Sequence, residues 1–409
     1  MFVTTSKSNS YSYLCHTNEI VNGIVEEQDC EWRFAPLIPF STMNEVEVVV
    51  IGVTEQCNLR CSYCCYSGAY ENNRSHGLRN IKRIDIDEIY DFVLHTFKKR
   101  PLQIAFYGGE PLLQYALLQY AVEIGRERFD GNVDFSISTN ATLLTKDKVD
   151  WLLNHGVKIL ISIDGTKTFH DLHRIYPNGK GSFDKIRDAL SYIVLKYPQH
   201  QHLVSLQMTM PSFRDIEQIA SEWNNDILLR DWEPSYIHGL AVNFSLGVNK
   251  VVYEEICEFY KHLLNIYEEH PDWVLLKAFF NMCIADWKDR PIMEIDSVAT
   301  LSTCMPSNPR LFVDTNMQIA ICEKISDIYR IGTIKGGIDW NKANEHVQNY
   351  YSKRVQRCSH CPFIRMCTLC LTSIEYTEEQ MDVLCHNERI YTKINFWLFC
   401  EMAERRMIE

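Results

Sequence analysis

Three closely spaced cysteines follow directly on an apolar, β-branched run. The run spans residues 45–53, and the cysteines are Cys57, Cys61 and Cys64, in the spacing C-x3-C-x2-C. A short run rich in Val and Ile indicates a buried strand. The cysteine loop therefore leaves the carboxyl end of a strand, which is where α/β barrels place their chemistry.

The spacing of these three thiols favours an iron–sulfur cluster. Three cysteines can ligate three corners of a cubane cluster, which leaves the fourth iron open to another ligand. A three-residue gap suits zinc poorly unless a fourth ligand lies nearby. A zinc knuckle or a group of reduced core thiols remains the alternative interpretation.

Composition limits the class of protein. The chain has 409 residues, 46% hydrophobic and 23% charged, which allows two or three globular domains with a large core. A net charge of -12 without a basic stripe argues against a nucleic-acid or anionic-membrane partner. No stretch has the pattern of a membrane span or a signal peptide, so we expect a cytoplasmic protein. In such a chain, 16 cysteines indicate metal binding rather than disulfides.

Strand-like and helix-like segments alternate along the first two thirds of the chain. We predict a helix that begins with a capping box at Asp85-Ile-Asp-Glu88, a second from Thr145 to Gly156, and a third capped by Ser182. The pattern predicts an α/β fold, a partial (β/α)6 TIM barrel. The six predicted strands are residues 45–53, 103–107, 133–140, 157–165, 203–208 and 235–242.

The cysteine loop resembles that of the radical S-adenosylmethionine (radical SAM) superfamily. Cys57, Cys61 and Cys64 match the motif of its [4Fe-4S] cluster, and Tyr63 matches the aromatic residue that typically precedes the last cysteine. In that family the open iron is chelated by the amino and carboxylate groups of S-adenosyl-L-methionine (SAM). The resemblance covers about residues 46 to 395.

A Gly108-Gly109-Glu110-Pro loop follows the second predicted strand. Two glycines let a backbone approach a ligand closely, and its carbonyls can accept from an ammonium group. The resemblance implies that this loop holds the amino group of SAM.

Two polar side chains and one apolar side chain complete the expected SAM site. A hydroxyl and a guanidinium suit a carboxylate, and the resemblance implies that Ser162 and Arg174 contact that end of SAM. The resemblance also implies that Leu240 lines the adenine pocket. From the residues alone, the favoured interpretation is that Arg174 is a solvated loop charge and Ser162 a strand residue that faces a helix.

A second group of cysteines near the end of the chain resembles the SPASM domain of radical SAM enzymes that modify peptides and proteins. The resemblance implies two auxiliary [4Fe-4S] clusters, with a zinc ribbon as the alternative. The second of them would be fully ligated by Cys358, Cys361, Cys367 and Cys385. The first would be held by Cys304, Cys322 and Cys370.

Three departures from that pattern concern the first auxiliary cluster. Met317 stands where the family has a glycine, Cys367 and Cys370 are one residue closer than usual, and Arg310 stands where fully ligated relatives have another cysteine. We therefore expect three protein thiolates and an open iron that can bind a substrate thiolate. Cys283 is a candidate fourth ligand.

Four segments follow from these patterns. We predict an N-terminal extension at 1–44, a radical SAM partial barrel at 45–270, a helical linker at 271–303, and a cysteine-rich α+β SPASM domain with a C-terminal helix at 304–409. Strand-like residues around Asn22-Gly23 indicate a hairpin in the extension. Its edge either pairs with the leader of a peptide by β-augmentation or packs on the barrel.

Together the motifs predict a radical SAM oxidoreductase that matures a ribosomal (RiPP) precursor peptide. A 5′-deoxyadenosyl radical would abstract hydrogen from a cysteine-containing peptide with a leader, and the leading product is a cysteine thioether crosslink. A flavodoxin- or ferredoxin-type protein would donate electrons. The alternatives are an anaerobic sulfatase-type maturase that forms formylglycine, carbon–carbon crosslinking or epimerisation of a peptide, and a non-catalytic metal-binding module.

Overall fold

The structure is a computed structural model, which describes residues 1–26, 30–39, 46–69, 73–97, 102–210, 212–239, 249–298, 310–325, 327–371 and 377–408. The described strands are β1 Phe2–Thr4, β2 Ser10–Leu14, β3 Glu19–Asn22, β4 Arg33–Phe34, β5 Val48–Thr54, β6 Leu102–Gly108, β7 Val133–Thr139, β8 Lys158–Ser162, β9 Val204–Met210, β10 Tyr236–Gly239, β11 Ser297–Val298, β12 Arg310–Val313, β13 Gln318–Ala320, β14 Arg330–Thr333 and β15 Gly337–Ile338. The described α-helices are α1 Arg83–Thr96, α2 Tyr115–Arg128, α3 Lys146–Asn154, α4 Lys167–His173, α5 Phe183–Lys196, α6 Ile216–Asn225, α7 Tyr253–Glu269, α8 Val274–Lys288, α9 Trp340–Cys358 and α10 Glu378–Glu404.

The chain divides into two compact units. The barrel unit consists of Phe40–Phe244 and Cys304–Glu345, and the helical unit consists of Met1–Pro39, Ser245–Thr303 and His346–Glu409. The units cut across the predicted segment 304–409, because strand β12 pairs with the barrel sheet while the later cysteines belong to the helical unit.

The barrel unit is built on one sheet with the order β10-β9-β8-β7-β6-β5-β12-β13-β14-β15. Neighbouring strands from β5 to β10 pair in parallel, which confirms the predicted six-stranded partial barrel. Valine and isoleucine of β5 are buried, and helices between the strands bury apolar faces, such as Ile86, Ile89 and Val93 of α1. Parallel strands align their carboxyl ends, so the loops after β5 to β9 gather at one edge of the sheet.

Strand β12 adds a seventh parallel neighbour that the sequence analysis did not predict. It lies beside β5 in the register Arg310↔Val48 to Val313↔Ile51. Gly52 of β5 leaves room for this contact, since a Cβ there would lie 3.0 Å from the ring of Phe312.

The predicted capping box of the first helix was wrong by one turn. Helix α1 begins at Arg83, and Asp85 is its third residue, where the carboxylate accepts from the backbone N–H of the N-cap Lys82 at 2.7 Å. An aspartate can occupy either the N-cap or the N3 position of a capping box, so the sequence pattern alone did not determine where the helix begins.

The helical unit carries a three-stranded antiparallel sheet, β1-β2-β3. The predicted hairpin exists, but it turns at residues 15–18, with Asn18 at a φ of 63°, and Gly23 lies after β3. Tyr13 packs on Trp287 of α8 at 5.0 Å between ring centroids. Contrary to the expectation of metal binding rather than disulfides, Cys15 and Cys30 form a disulfide.

Within the described residues, no helix combines the length and the apolar character needed to cross a membrane.

Candidate functional site

The cysteine loop after β5 is held in place by the chain that follows α4. The backbone N–H of Arg60 donates to the carbonyl of Ile175 at 2.7 Å, and that of Ser62 donates to the carbonyl of His173 at 3.1 Å. The cysteine loop, on both sides of Cys61, therefore docks on a separate barrel element.

Cys57, Cys61 and Cys64 lie close enough for their charges to interact. Burial raises the pKa of the Cys57 thiol to about 12 and that of Cys61 to about 11, whereas hydrogen bonding, chiefly from Cys65, lowers the pKa of Cys64 to about 4. Backbone N–H groups of Leu59 and Tyr66 donate to the sulfurs of Cys57 and Cys64, each at 3.4 Å. Such bonds stabilise thiolate sulfur.

No group of three or more His, Cys, Asp or Glu side chains in the described chain is arranged around a single metal ion. A cubane takes its thiolates at separate corners, and three neighbouring thiols can supply three of them. The three thiols and the N–H···S bonds to Cys57 and Cys64 fit the expected cluster.

The two glycines of the Gly108-Gly109 loop approach the chain itself. A Cβ on Gly108, whose φ is +132°, would lie 2.3 Å from the carbonyl oxygen of Thr54, and a Cβ on Gly109 would lie 2.0 Å from that of Gln56. The N–H of Gly109 donates to Thr54 at 2.8 Å. Besides any contact with SAM, these glycines brace the residues that lead into Cys57.

Glu110 joins the ends of two neighbouring strands. Its side chain is 1% exposed, and its carboxylate accepts from the Thr139 hydroxyl at 2.6 Å and from the Asn140 N–H at 2.8 Å. Burial raises the pKa of the Glu110 carboxyl. The Asn140 amide that it positions lies 3.9 Å from the sulfur of Cys57. Glu110 thus reaches the cysteine loop through Asn140.

Arg174 is 8% exposed, so the interpretation as a solvated loop charge was wrong. Its Nε donates to Asp164 Oδ2 at 2.8 Å. The hydroxyl of Tyr63 donates to the same carboxylate, and the N–H of Thr209 donates to its Oδ1 at 2.9 Å. Asp164 therefore ties the aromatic residue of the cysteine motif to the predicted SAM-binding arginine.

Sequence analysis missed Asp164 as a functional residue. The only signal was its position in Ser162-Ile163-Asp164-Gly165, directly after β8. Its partners lie elsewhere in the chain, so its role became visible only with the fold.

A chain of hydrogen bonds fixes the backbone of Arg174. His170 is fully buried, and burial lowers its pKa to about 3, so its ring is neutral. Nδ1 accepts from the Asp164 N–H at 3.2 Å, which leaves Nε2 to donate to the Ser182 hydroxyl at 3.0 Å. That hydroxyl donates to the Arg174 carbonyl at 2.7 Å.

Ser182 precedes α5, but its side chain does not cap the helix as predicted. The Asp171 carboxylate accepts from the N–H groups of Ser182 and Phe183 at 2.8 and 2.9 Å instead. The Ser182 hydroxyl is thereby available to Arg174.

The remaining predicted SAM ligands differ in what the structure describes. Ser162 ends β8 and is half-buried, and its hydroxyl makes no hydrogen bond within the described ranges. Leu240 lies outside the described residues.

Four cysteines come together in the helical unit. The charges of Cys361, Cys367 and Cys385 all act on the thiol of Cys358, which ends α9. A cavity of about 170 Å³ lies against Cys358 and Cys385. Arg354 of α9 donates to the Cys367 sulfur at 3.1 Å. These are the four residues predicted to ligate the second auxiliary cluster.

The grouping of the first auxiliary set stays a prediction, because its members are divided between the two units. Cys322 belongs to the barrel unit, with its sulfur accepting from the Lys324 N–H at 3.4 Å, whereas Cys370 belongs to the helical unit. Cys304 lies outside the described residues. Cys283 is a core residue of α8, with its sulfur 3.8 Å from the Tyr260 hydroxyl.

The two non-cysteine departures have structural counterparts. Met317, in place of the family glycine, has a φ of 62° in the turn between β12 and β13, a conformation that favours glycine. Arg310, in place of a cysteine, pairs with Glu323 at 2.7 Å beside Cys322.

Comparisons with known proteins identify a domain in this chain. The family model described as "Radical SAM superfamily" matches residues 51–220. An uncharacterized protein of Methanocaldococcus jannaschii is 33% identical over 33% of this chain and 44% of that protein, so the chain spans less than half of that relative.

Two other curated relatives match at greater length. A cysteine-type anaerobic sulfatase-maturating enzyme of Clostridium perfringens is 22% identical over 87% of this chain and 97% of that enzyme. The radical SAM cyclopropyl synthase TigE of Paramaledivibacter caminithermalis is 21% identical over 90% of this chain and 79% of that enzyme.

Solved structures share the fold. Native anSMEcpe with bound AdoMet and the Cp18Cys peptide aligns at a TM-score of 0.64 with 18% identity, over 88% of this chain and 97% of that chain. Streptococcus suis SuiB bound to precursor peptide SuiA aligns at 0.50 with 13% identity, over 82% and 74%. Residues 51–220 therefore form a radical SAM domain.

Proposed function

We propose that the chain is a radical SAM enzyme that oxidises a carbon of a peptide or protein substrate. The single observation that carries this proposal is the coupling of the cysteine loop to the buried Arg174–Asp164 pair through Tyr63. Asp164 bonds only Nε of Arg174, and a metal-binding module without SAM has no need of an arginine whose terminal nitrogens are held ready for a ligand.

In this proposal Cys57, Cys61 and Cys64 hold a [4Fe-4S] cluster, which with SAM supplies an electron and a 5′-deoxyadenosyl radical. Arg174 and Ser162 bind the SAM carboxylate, and the Gly108-Gly109 carbonyls bind its amino group. Asp164 holds the Arg174 fork in one orientation, since it bonds Nε and leaves the terminal nitrogens for a ligand.

Oxidation of a substrate carbon also releases a proton, and His238 is our candidate acceptor. It lies on β10, is half-buried, and experiences the charges of Lys324, Asp164 and Arg174. Burial, its largest influence, lowers its pKa to about 4, so the ring is neutral at neutral pH and, as a weak base, would hold an accepted proton only transiently. We expect His238→Gln to preserve SAM cleavage and to slow peptide modification.

The substrate class is a cysteine-containing peptide, by analogy with relatives that act on peptides or proteins. We propose that auxiliary clusters at Cys358, Cys361, Cys367 and Cys385, and at Cys304, Cys322 and Cys370, take up the surplus electron. A flavodoxin- or ferredoxin-type protein would supply the first electron. The leading product is a cysteine thioether crosslink in a ribosomal precursor peptide.

The second candidate is formylglycine formation on a sulfatase. It is favoured by the match to the C. perfringens sulfatase-maturating enzyme over 87% of this chain. The two candidates share the oxidation and differ in what traps the oxidised carbon, a peptide thiol or water.

One anaerobic experiment tests both. Reconstituted protein, SAM and dithionite are incubated with cysteine-containing peptides from neighbouring genes and with a sulfatase-derived peptide, and 5′-deoxyadenosine and peptide mass are measured. Loss of two hydrogens with iodoacetamide resistance identifies the thioether, and an aldehyde-reactive product identifies formylglycine. No 5′-deoxyadenosine from fully iron-loaded protein contradicts the enzyme proposal.

A further inference from the structure

Arg354 is a buried charge that lacks a carboxylate partner. It lies on α9 with an exposed fraction of 6%, and one of its nitrogens, Nη1, donates to the Cys367 sulfur at 3.1 Å. Among the described residues, no carboxylate lies within ion-pair distance of it, and neither Nε nor Nη2 has a hydrogen-bond partner. The ring of Tyr350 lies under the guanidinium at 5.6 Å, which attracts the cation but does not neutralise it.

Burying an unpaired arginine costs several kcal/mol, and arginine does not escape the cost by losing its proton. The helical unit must therefore contain a negatively charged group beside Arg354 once its cofactor is bound. The thiols of Cys367 and Cys358 act electrostatically on Arg354, and Cys361 and Cys385 complete the same group. Four thiolates around a cubane carry net negative charge, which increases by one on reduction.

A neighbouring arginine shows the contrast. Arg357, one turn later on α9, also lines the cavity, but its charge is matched by the carboxylates of Asp382, at 2.7 Å, and Glu378. Arg365, between Cys361 and Cys367 in the sequence, donates to backbone carbonyls, including His16 at 2.9 Å. Arg357 also hydrogen-bonds a thiol, that of Cys385, so what distinguishes Arg354 is a sulfur partner with no carboxylate among the described residues to match its charge.

We propose that Arg354 is a positioning residue for an auxiliary [4Fe-4S] cluster at Cys358, Cys361, Cys367 and Cys385, and that its guanidinium raises the reduction potential of that cluster. The role rests on the proposed function, which supplies the cluster. Nη1 donates to the Cys367 sulfur, and Nε and Nη2 are free to donate to other sulfurs. Because the reduced cluster is the more negative state, a fixed cation and N–H···S bonds stabilise it more than the oxidised state.

The consequence is a direction for electron flow. When a substrate radical is oxidised, it gives one electron and its carbon loses one proton to a base. A cluster of raised potential accepts that electron by one-electron reduction, and a flavodoxin- or ferredoxin-type protein of the proposed function reoxidises it. Arg354 therefore favours acceptance over donation at this cluster.

The test is a redox titration followed by electron paramagnetic resonance. It uses the full chain with Cys57, Cys61 and Cys64 changed to alanine, so that only auxiliary signals remain, and Cys385→Ser assigns the signal. In Arg354→Gln with unchanged iron content, we expect the ratio of reduced to oxidised cluster at a fixed potential to fall about tenfold, which is 59 mV for a one-electron couple. Arg354→Lys, which keeps the charge, should recover most of that shift, and Arg365→Gln should leave the potential unchanged.

The measured potentials and metal contents decide whether the proposal stands. An unchanged reduction potential in iron-loaded Arg354→Gln would show that the charge of Arg354 does not raise the potential of this cluster. If that variant does not assemble the cluster, Arg354→Lys decides: a potential near that of the parent supports the proposal, and a lowered potential or no cluster contradicts it. Parent protein with zinc or no metal at these cysteines contradicts the proposed auxiliary cluster itself, which distinguishes failure of the function from failure of the inference.

Discussion

Two buried arginines lie beside cysteines, one in each unit, and they are balanced in different ways. Arg174 in the barrel unit influences Cys61 but is paired with Asp164 at 2.8 Å. Arg354 in the helical unit bonds the sulfur of Cys367 and has no carboxylate partner in the described chain. A paired arginine adds little net charge and offers a fixed donor fork, whereas an unpaired arginine offers its charge. The first arrangement suits an orienting role toward a ligand, and the second suits tuning of a cluster.

The largest expected effect concerns the thiols of the barrel unit. Cys61→Ala should reduce SAM cleavage to background, because a cubane left with two thiolates loses the site at which SAM binds. Iron content should fall by one cluster, measured by colorimetric iron analysis, and 5′-deoxyadenosine is measured by chromatography. Cys257→Ala, a core substitution in α7, is the control and should retain both. SAM cleavage by Cys61→Ala would contradict the assignment of this loop as the site of the SAM-binding cluster.

Next in size is the paired arginine. Arg174→Gln should weaken SAM binding by about 10- to 100-fold, because a hydrogen bond to a charged group contributes roughly 1.5–3 kcal/mol. Calorimetric titration of SAM into reconstituted protein measures this effect. The variant also leaves Asp164 buried without its cation, which itself destabilises the fold.

A double-mutant cycle with Asp164→Asn separates the two effects of Arg174. Asp164→Asn/Arg174→Gln should recover stability toward chemical denaturation but not SAM affinity. If the double variant binds SAM as the parent does, Arg174 serves the fold rather than the ligand.

The neutral His170 beneath the Arg174–Asp164 pair predicts a pH dependence of stability. Burial lowers its pKa from 6.5 to about 3 in the folded state, so the unfolded state binds the extra proton between these values. The contribution is complete above pH 6.5 and is lost as the pH falls toward 3, with a slope of about 1.4 kcal/mol per pH unit. The free energy of unfolding of the parent and of His170→Gln, measured by denaturant between pH 7 and pH 5, tests this sign. Equal slopes in the two proteins would show that the buried ring does not titrate as described.

Sequence reasoning went furthest where the signal was local. The six parallel strands were predicted because each is a short strand-like run that alternates with a helix-like segment, and Cys57, Cys61 and Cys64 because their spacing is compact. Strand β12 was missed because four residues carry little pattern and its partner β5 is far away in the sequence.

The two charged partners were missed for a similar reason. The role of Asp164 is visible only from its hydrogen bonds with Tyr63 and Thr209, and no local sequence pattern links these three residues. Arg354 lies in Trp340–Cys358, a helix of mainly polar sequence in which one more arginine indicates solvent exposure. The hairpin turn was misplaced because Asn22-Gly23 matches a turn signal that the fold uses just after β3 instead.

The smallest predicted effect concerns Met317, where the family has glycine. A left-handed φ costs a residue with a Cβ about 1–2 kcal/mol, while glycine adds about 0.5–1 kcal/mol of unfolded-state entropy. Met317→Gly should therefore stabilise the chain by about 0.5–1 kcal/mol, measured by denaturant unfolding. Met317→Ala keeps the Cβ and should not raise the free energy of unfolding. If Met317→Ala stabilised the chain and Met317→Gly did not, the strain would lie in the methionine side chain and not in the backbone.

The central claim is that the barrel-unit thiols hold a cluster whose open iron binds SAM. The most direct measurement is the electron paramagnetic resonance spectrum of the reduced chain with Cys358, Cys361, Cys367 and Cys385 changed to alanine, recorded with and without SAM. We predict a spectral change on adding SAM, and its loss in Arg174→Gln at low SAM concentration. An iron-loaded spectrum that SAM leaves unchanged at saturating concentration would contradict the claim.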